Sequence, residues 1–355
     1  MATYKVLGIM SGTSLDGVDI AFCEFSEKNK KWSYTILYSQ TFAYHPNWKL
    51  RLQSLPEKSG FDLIKMHKEY GHYLGKLIQN FITKHRLKVD FISSHGHTVF
   101  HYPNQGINFQ VGDGAAIAAE CNLPVIYDFR SLDIALKGQG APLVPIGDKL
   151  LFPEYDYCLN LGGFANISFD KKGKRIAFDI CPVNIIINEL CQTIGKSFDD
   201  GGNIAKKGKV IQSLVDDLNT LGFYHRKKDA PKSLGKEWLD DFFYPVLTKH
   251  QYSIEDTLRS IYEHIAIQIA NVIAKTKQPK KILVTGGGSY NTFLLNCIKL
   301  LTNHQIIVPD KNLVEFKEAL IFAFLGVLRT RGENNTLKSV TGASRNSIGG
   351  SIYFS

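Results

Sequence analysis

Asp16 and Asp19 stand at the end of a Gly-, Ser- and Thr-rich run, Gly8-Ile9-Met10-Ser11-Gly12-Thr13-Ser14-Leu15-Asp16-Gly17-Val18-Asp19-Ile20-Ala21. The chemistry this combination suits is the holding of phosphate. Gly8, Gly12 and Gly17 let backbone N–H groups turn toward an anion without a Cβ in the way, and Ser11, Thr13 and Ser14 add hydroxyl donors. Two carboxylates would repel a bare phosphate. Asp16 and Asp19 therefore make sense beside a divalent cation or its water shell.

The segments that must position this loop read as strands, residues 4–9 before it and 18–25 after it. A Walker A loop is excluded, because no Gly-Lys-Ser/Thr is present and a strand, not a helix, follows. The dinucleotide fingerprint fails for the same reason. A strand–loop–strand phosphate grip resembles the ATP-binding fold of actin, hexokinase and the large heat-shock chaperones; the alternative is an ordinary tight hairpin rich in turn residues. A second hairpin of the same build, residues 157–161 and 165–169 around Gly162 and Gly163, carries Asn160, Asn166 and Ser168 as neutral polar groups. Two such hairpins imply two related halves. A third glycine-rich strand end, Gly286-Gly287-Gly288 after the apolar residues 281–285, would let a flat ring such as adenine lie against bare backbone.

Alternating strands and helices give an α/β architecture. Helices are expected at 61–85, 204–221, 258–275 and 313–331, and strands at 89–93 and 125–127. Leu258, Ile261, Ile265, Ile269 and Val272 form one stripe, read as a core-facing surface. With 355 residues the chain should form two domains, a first of 1–133 plus 335–355 and a second of 134–334, divided just before the Gly- and Pro-rich residues 138–145. Composition is that of a globular protein, 44% hydrophobic and 21% charged. The net charge of +9 suits anionic ligands, yet its lysines are scattered and lack aromatic interleaving, so no nucleic-acid partner is expected. No membrane span or leader is read, and a cytoplasmic location follows as an expectation. The six cysteines lack any C-x-x-C pair and read as reduced core residues.

Over nearly its whole length the chain resembles the anhydro-N-acetylmuramic acid kinases of bacterial cell-wall recycling, members of the actin and hexokinase superfamily. Residues 8–21 match the family's G-x-M-S-G-T-S-x-D-G-x-D, and Ser94-His95-Gly96-His97-Thr98 with His101 and Pro103 resembles S-H-G-Q-T-x-x-H-x-P. Residues 110–117, 128–130, 138–145, 160–168, 231–237, 286–288, 318–323 and 341–343 follow in family order. The resemblance implies two actin-like domains flanking an ATP and sugar cleft. It also implies a reaction in which water opens the 1,6-anhydro bridge of the sugar while ATP phosphorylates O6, with ATP and Mg2+ required and a homodimer formed. Asp179 corresponds to the family's general base, in the segment Phe178-Asp179-Ile180-Cys181-Pro182-Val183-Asn184.

The resemblance assigns phosphate and magnesium contacts to Gly12, Thr13, Ser14, Leu15, Asp16, Gly17, Val18 and Asp19, with Asp16 and Asp19 nearest the metal. It assigns the other phosphate side to Gly162 and Gly163, and adenosine to Gly286, Gly287 and Gly288. Sugar contacts are expected from Thr98, Asp113, Arg130 and Glu318. Arg130 would meet an anionic sugar substituent through its bidentate guanidinium, or else form a structural ion pair with Asp128 or Asp133. Glu318 is expected at a helix start. Ile180, Cys181, Val183, Asn188, His97 and Lys137 depart from the family pattern; side chains in place of two glycines are expected to remove room near the base. Two rivals stand beside this reading: a metallohydrolase built on His95 and His97, and a catalytically silent ATP-binding regulator. A kinase for another anhydro or amino sugar is the closer variant.

Overall fold

The computed structural model describes residues 2–12, 15–225, 232–249, 251–273 and 276–354. One sheet holds β1 (Thr3–Ser11), β2 (Gly17–Lys28), β3 (Lys31–Ala43), β4 (Phe91–Tyr102), β5 (Ile107–Val111), β6 (Val125–Tyr127) and β12 (Ser351–Tyr353). The other holds β7 (Tyr157–Leu161), β8 (Phe164–Lys171), β9 (Lys174–Pro182), β10 (Lys281–Thr285) and β11 (Gln305–Ile307). The orders β3-β2-β1-β4-β6 and β9-β8-β7-β10-β11 repeat one topology. In each, three strands form an antiparallel meander and two more add in parallel. The two halves are therefore related, as the paired hairpins implied.

The chain divides into two compact units, Met1–Phe152 with Phe316–Ser355, and Pro153–Glu315. Residues 134–152 and 316–334, which the sequence reading gave to the second domain, thus belong with the first. The reason lies in the Gly-Pro segment. The Gly138 and Gly140 N–H groups donate to the Asp133 carbonyl and Oδ2, each at 2.8 Å, and Gln139 N–H donates to the Thr341 carbonyl at 2.8 Å. Instead of leaving the first unit, the segment folds back onto it.

In the first unit, helix Gly60–His85 is capped by Ser59 and buries Met66, Tyr70, Leu74, Ile78 and Phe81 against the sheet. In the second, helix Ile254–Val272 is capped by Ser253 and buries Leu258, Ile261, Ile265 and Ile269; residue 275 of the expected helix lies outside the described residues. The helix expected over 204–221 is broken into a short turn, Ala205–Lys207, and the helix Gln212–Asn219. Its backbone donors are taken elsewhere: Lys209 N–H goes to Asp256 Oδ1 at 2.6 Å and Ile211 N–H to Ser260 Oγ at 2.9 Å. A local helical pattern has lost to tertiary hydrogen bonds.

Gly8 marks the tightest approach in the first unit. A Cβ there would lie 1.9 Å from the carbonyl oxygen of Ala319, on the helix Lys311–Thr330 that crosses β1. Backbone meets backbone, so no side chain can move aside. Gly8→Ala is expected to destabilise the protein by about 1–3 kcal/mol, as overpacking does. Gly60→Ala, where nothing lies within 4 Å, should leave the first denaturant-unfolding midpoint unchanged or slightly raised; equal midpoints for both variants would refute the close-approach argument.

Candidate active site

The first glycine loop joins β1 to β2, whose register pairs Met10 with Asp19. Thr13 and Ser14 lie outside the described residues. Leu15 closes the turn by donating its N–H to the Gly12 carbonyl at 3.3 Å and adopts φ 58°, a left-handed conformation uncommon for leucine. Strain of that kind concentrates at ligand-holding loops. Asp16 is exposed, whereas Asp19 is half-buried and accepts from Thr41 Oγ1 at 2.6 Å. Val18 is fully buried in the core, so only its backbone can face a ligand. Gly17 is fixed by packing, since a Cβ there would lie 2.4 Å from the Phe42 carbonyl oxygen.

A buried polar chain anchors the base of this loop. Ser11 Oγ lies 2.6 Å from Tyr44 OH and 3.1 Å from His97 Nδ1, and Tyr44 OH in turn bonds Tyr70 OH. Burial pushes the His97 imidazole down to about 4, so it is neutral here at physiological pH. Sequence reasoning flagged Ser11 only as a loop donor and missed Tyr44 and Tyr70, which are distant in the chain and carry no motif.

His95 and His97 do not form a pair. Ile9 lies opposite Ser94 but Ser11 lies opposite His97, so β4 carries an extra residue here, with Gly96 at φ 74°. The strand alternation that would have aligned the two rings is broken. His95 Nδ1 bonds the Gly96 carbonyl at 2.9 Å, and its Nε2 accepts from Arg130 Nε and Nη2 at 3.1 and 2.8 Å. Both ring nitrogens are committed, in the neutral Nδ1–H tautomer; burial first, and the Arg130 charge second, hold its pKa well below the usual range. Among the described residues no group of three or more His, Cys, Asp or Glu side chains could hold a metal ion, so the metallohydrolase reading loses its ligand set.

Arg130 also donates from Nη1 to the Gly140 carbonyl at 2.6 Å. The ion pair with Asp128 or Asp133 is not formed: Asp133 accepts from Thr341 and Gly140, and Asp128 from Ser131. Burial pushes the guanidinium down to about 10, against the raising fields of Glu318 and Asp133, and it stays charged at neutral pH. Glu318 lies well inside Lys311–Thr330, not at a helix start. Its side chain is open to solvent, yet surrounding protein raises its carboxyl above the usual range; Arg130 and Lys317 oppose this and Asp19 adds to it. Arg130, Glu318 and Asp19 thus share one electrostatic neighbourhood.

Asp113 is 4% exposed. It caps helix Gly114–Cys121 through Ala116 N–H at 3.0 Å and pairs with Lys68 at 2.9 Å, with His67 at 3.5 Å. Thr98 Oγ1 accepts from Gln110 at 3.4 Å. Lys137, where the family carries glycine, has φ 67°, the region glycine enters without penalty.

In the second unit the glycine-rich ends converge. The carbonyls of Gly163 and Gly162 accept from Val183 N–H at 2.8 Å and Asn184 N–H at 3.2 Å, tying the hairpin to the start of helix Asn184–Gln192. Gly288 packs on the same hairpin, for a Cβ there would lie 2.7 Å from Leu161 Cβ. Gly286 has φ 81° and faces Asn160 Oδ1. Gly163 and Gly287 are exposed, and a Cβ there would make only ordinary contact, at 3.8 Å with Ile185 Cβ and 3.7 Å with Asn184 Nδ2.

Strand register sets Thr285, Asn160, Asn166 and Asp179 in one row across β10, β7, β8 and β9. Asp179 N–H donates to the Lys232 carbonyl at 3.0 Å, and its Oδ2 accepts from Leu234 N–H at 2.9 Å. Burial pushes its carboxyl up to about 6, with the Leu234 bond and the Lys232 charge opposing. Ile180 is the extra residue of a bulge, because Ala165 pairs with Cys181 and Asn166 with Asp179. Ile180, Cys181 and Val183 are all buried within the hydrophobic core. They help fill the second unit's core, and Cys181 lies close enough to Asp179 to feel its charge. Asp199 is likewise structural: its oxygens accept from the Ile204 and Ala205 N–H groups and from Tyr262 OH.

A family model described as anhydro-N-acetylmuramic acid kinase matches residues 4–355. The proteins of that name from Francisella tularensis subsp. novicida and Clostridioides difficile are each 32% identical to this chain, over 100% of both chains and over 98% and 97% respectively. Among solved structures, a ROK family glucokinase from Streptomyces griseus in complex with glucose and AMPPNP is 12% identical, with a TM-score of 0.40 over 90% of this chain and 98% of its own. No described helix is long and apolar enough to cross a membrane. Matched from end to end by the family model and by relatives at this identity, the chain belongs to the anhydro-N-acetylmuramic acid kinase family of sugar kinases.

Proposed function

We propose that this protein uses ATP and water to convert 1,6-anhydro-N-acetylmuramic acid to the 6-phosphate of N-acetylmuramic acid. The observation that carries the reading is the half-buried Asp179 carboxyl, raised to about 6, in a chain of this family. A base poised just below neutral pH is ionised in the cell and still basic enough to take a proton. Water adds to C1, its proton passes to Asp179, the C1–O6 bond breaks, and O6 forms the new bond to the γ-phosphorus as ADP leaves.

The remaining roles follow from chemistry. Gly12, Leu15, Gly17 and Val18 offer backbone, and Thr13 and Ser14 hydroxyls, to phosphate; Gly162 and Gly163 serve the other phosphate side, and Gly286, Gly287 and Gly288 adenosine. Arg130 binds the sugar's carboxylate, and Glu318 lies in its field. Thr98 adds a sugar-side hydroxyl, and Asp113 supports that side by fixing its helix. Magnesium is typically held by one or two carboxylates with phosphate oxygens and waters. Exposed Asp16 and half-buried Asp19 fit that donor set, and the ion would neutralise phosphate charge. ATP use and six reduced, buried cysteines support a cytoplasmic location. The homodimer implied by the resemblance is a separate proposal, read by sedimentation.

Two measurements test the reading. Asp179→Asn should lower sugar-dependent ADP release by roughly 10²–10⁴-fold with ATP binding retained; undiminished release removes Asp179 from the base role, and ATP binding without any release by the unmodified protein favours the silent regulator. In the unmodified protein kcat should fall on the acid side with a midpoint near pH 6, because the base works only when ionised. A rate flat down to pH 5 would contradict it.

A further inference from the structure

Asp179 is gripped twice by one short irregular segment. Its N–H donates to the Lys232 carbonyl, and its Oδ2 accepts from the Leu234 N–H. The segment is itself held down: Lys232 Nζ lies 4.4 Å from the Phe223 ring centre and 5.5 Å from that of Phe178, the residue before Asp179. Oδ1 accepts no hydrogen bond from the described residues.

We propose that Lys232–Ser233–Leu234 is a positioning strap for the base: the Leu234 N–H holds Oδ2 and so sets the carboxylate plane, which leaves Oδ1 as the oxygen that takes the water proton, while Lys232 closes the strap and favours the ionised form. The inference rests on Asp179 being the base. A hydrogen bond to an ionised carboxylate and a nearby cation both lower its pKa, and here both come from the strap. Among the described residues no other charged group shifts the carboxyl. Asn166 lies opposite it on β8, and Cys181 on its own strand is kept protonated by burial. Burial raises the carboxyl and the strap restrains the rise.

Removal of the donor without removal of the base separates the strap from the base itself. Leu234→Pro lacks the N–H, so the acid limb of kcat, measured on the full chain with ATP, magnesium and 1,6-anhydro-N-acetylmuramic acid, should move up by about one pH unit, with kcat at pH 7 lowered about two-fold by the smaller ionised fraction alone. Leu234→Ala keeps the N–H and should keep the limb where it is. Should the proline variant fail to fold, Lys232→Met is expected to move the limb in the same direction and Lys232→Arg to return it. An acid limb that stays in place in the folded proline variant, or in Lys232→Met, overturns the proposal even where the rate falls. Failure of the underlying reading looks different: Asp179→Asn would itself retain turnover.

Discussion

The carbonyls of Gly162 and Gly163 fix much of the second unit's site. By accepting the N–H groups of Val183 and Asn184, they cap the helix that follows β9 and satisfy donors that would otherwise need water. That cap sets where β9 must end. The bulge at Ile180 then absorbs one residue between the cap and the regular ladder, and Asp179 is left on the row shared with Asn160 and Asn166. The triple glycine after β10 reaches the same hairpin only because Gly288 has no Cβ to meet Leu161. Because these N–H groups are spent on the hairpin, they are not available to a phosphate.

The first unit repeats the topology with different electrostatics. Its hairpin carries Asp16 and Asp19 where the second carries neutral asparagines, and its base is locked by the buried Ser11, Tyr44, Tyr70 and His97 chain. Buried hydroxyl chains of this kind are stabilising only when every member is satisfied. The neutral imidazole of His97 can accept from Ser11 Oγ without adding a buried charge to the chain.

Much of this was legible in the sequence, and the failures have a common physical cause. The glycine-rich turns and the helix at Gly60–His85 could be read because turn chemistry and amphipathic periodicity are local. What misled were positions where a distant segment decides. The apparent helix over 204–221 gives its donors to Asp256 and Ser260. The residues at 138–145 looked like a border because Gly and Pro cluster there, but Asp133 and Thr341 draw them back. His95 and His97 looked like a metal pair until an extra residue in β4 separated them. Ile180, Cys181 and Val183 join the core around a bulge at Ile180; no feature of the segment itself reveals that bulge.

Arg130 shows how these long-range contacts alter the chemistry, as well as the geometry. An arginine paired with Asp128 or Asp133 would be largely spent as a cation. Its observed contacts are a neutral imidazole and a carbonyl, which orient the guanidinium without cancelling its charge. The imidazole can play that role because burial and the arginine itself keep it unprotonated, so the two groups stabilise one another's states. The carboxylates that act on Arg130, Glu318 and Asp133, do so through their fields. A fixed, half-buried guanidinium that touches no carboxylate among the described residues keeps its bidentate face open to an anion.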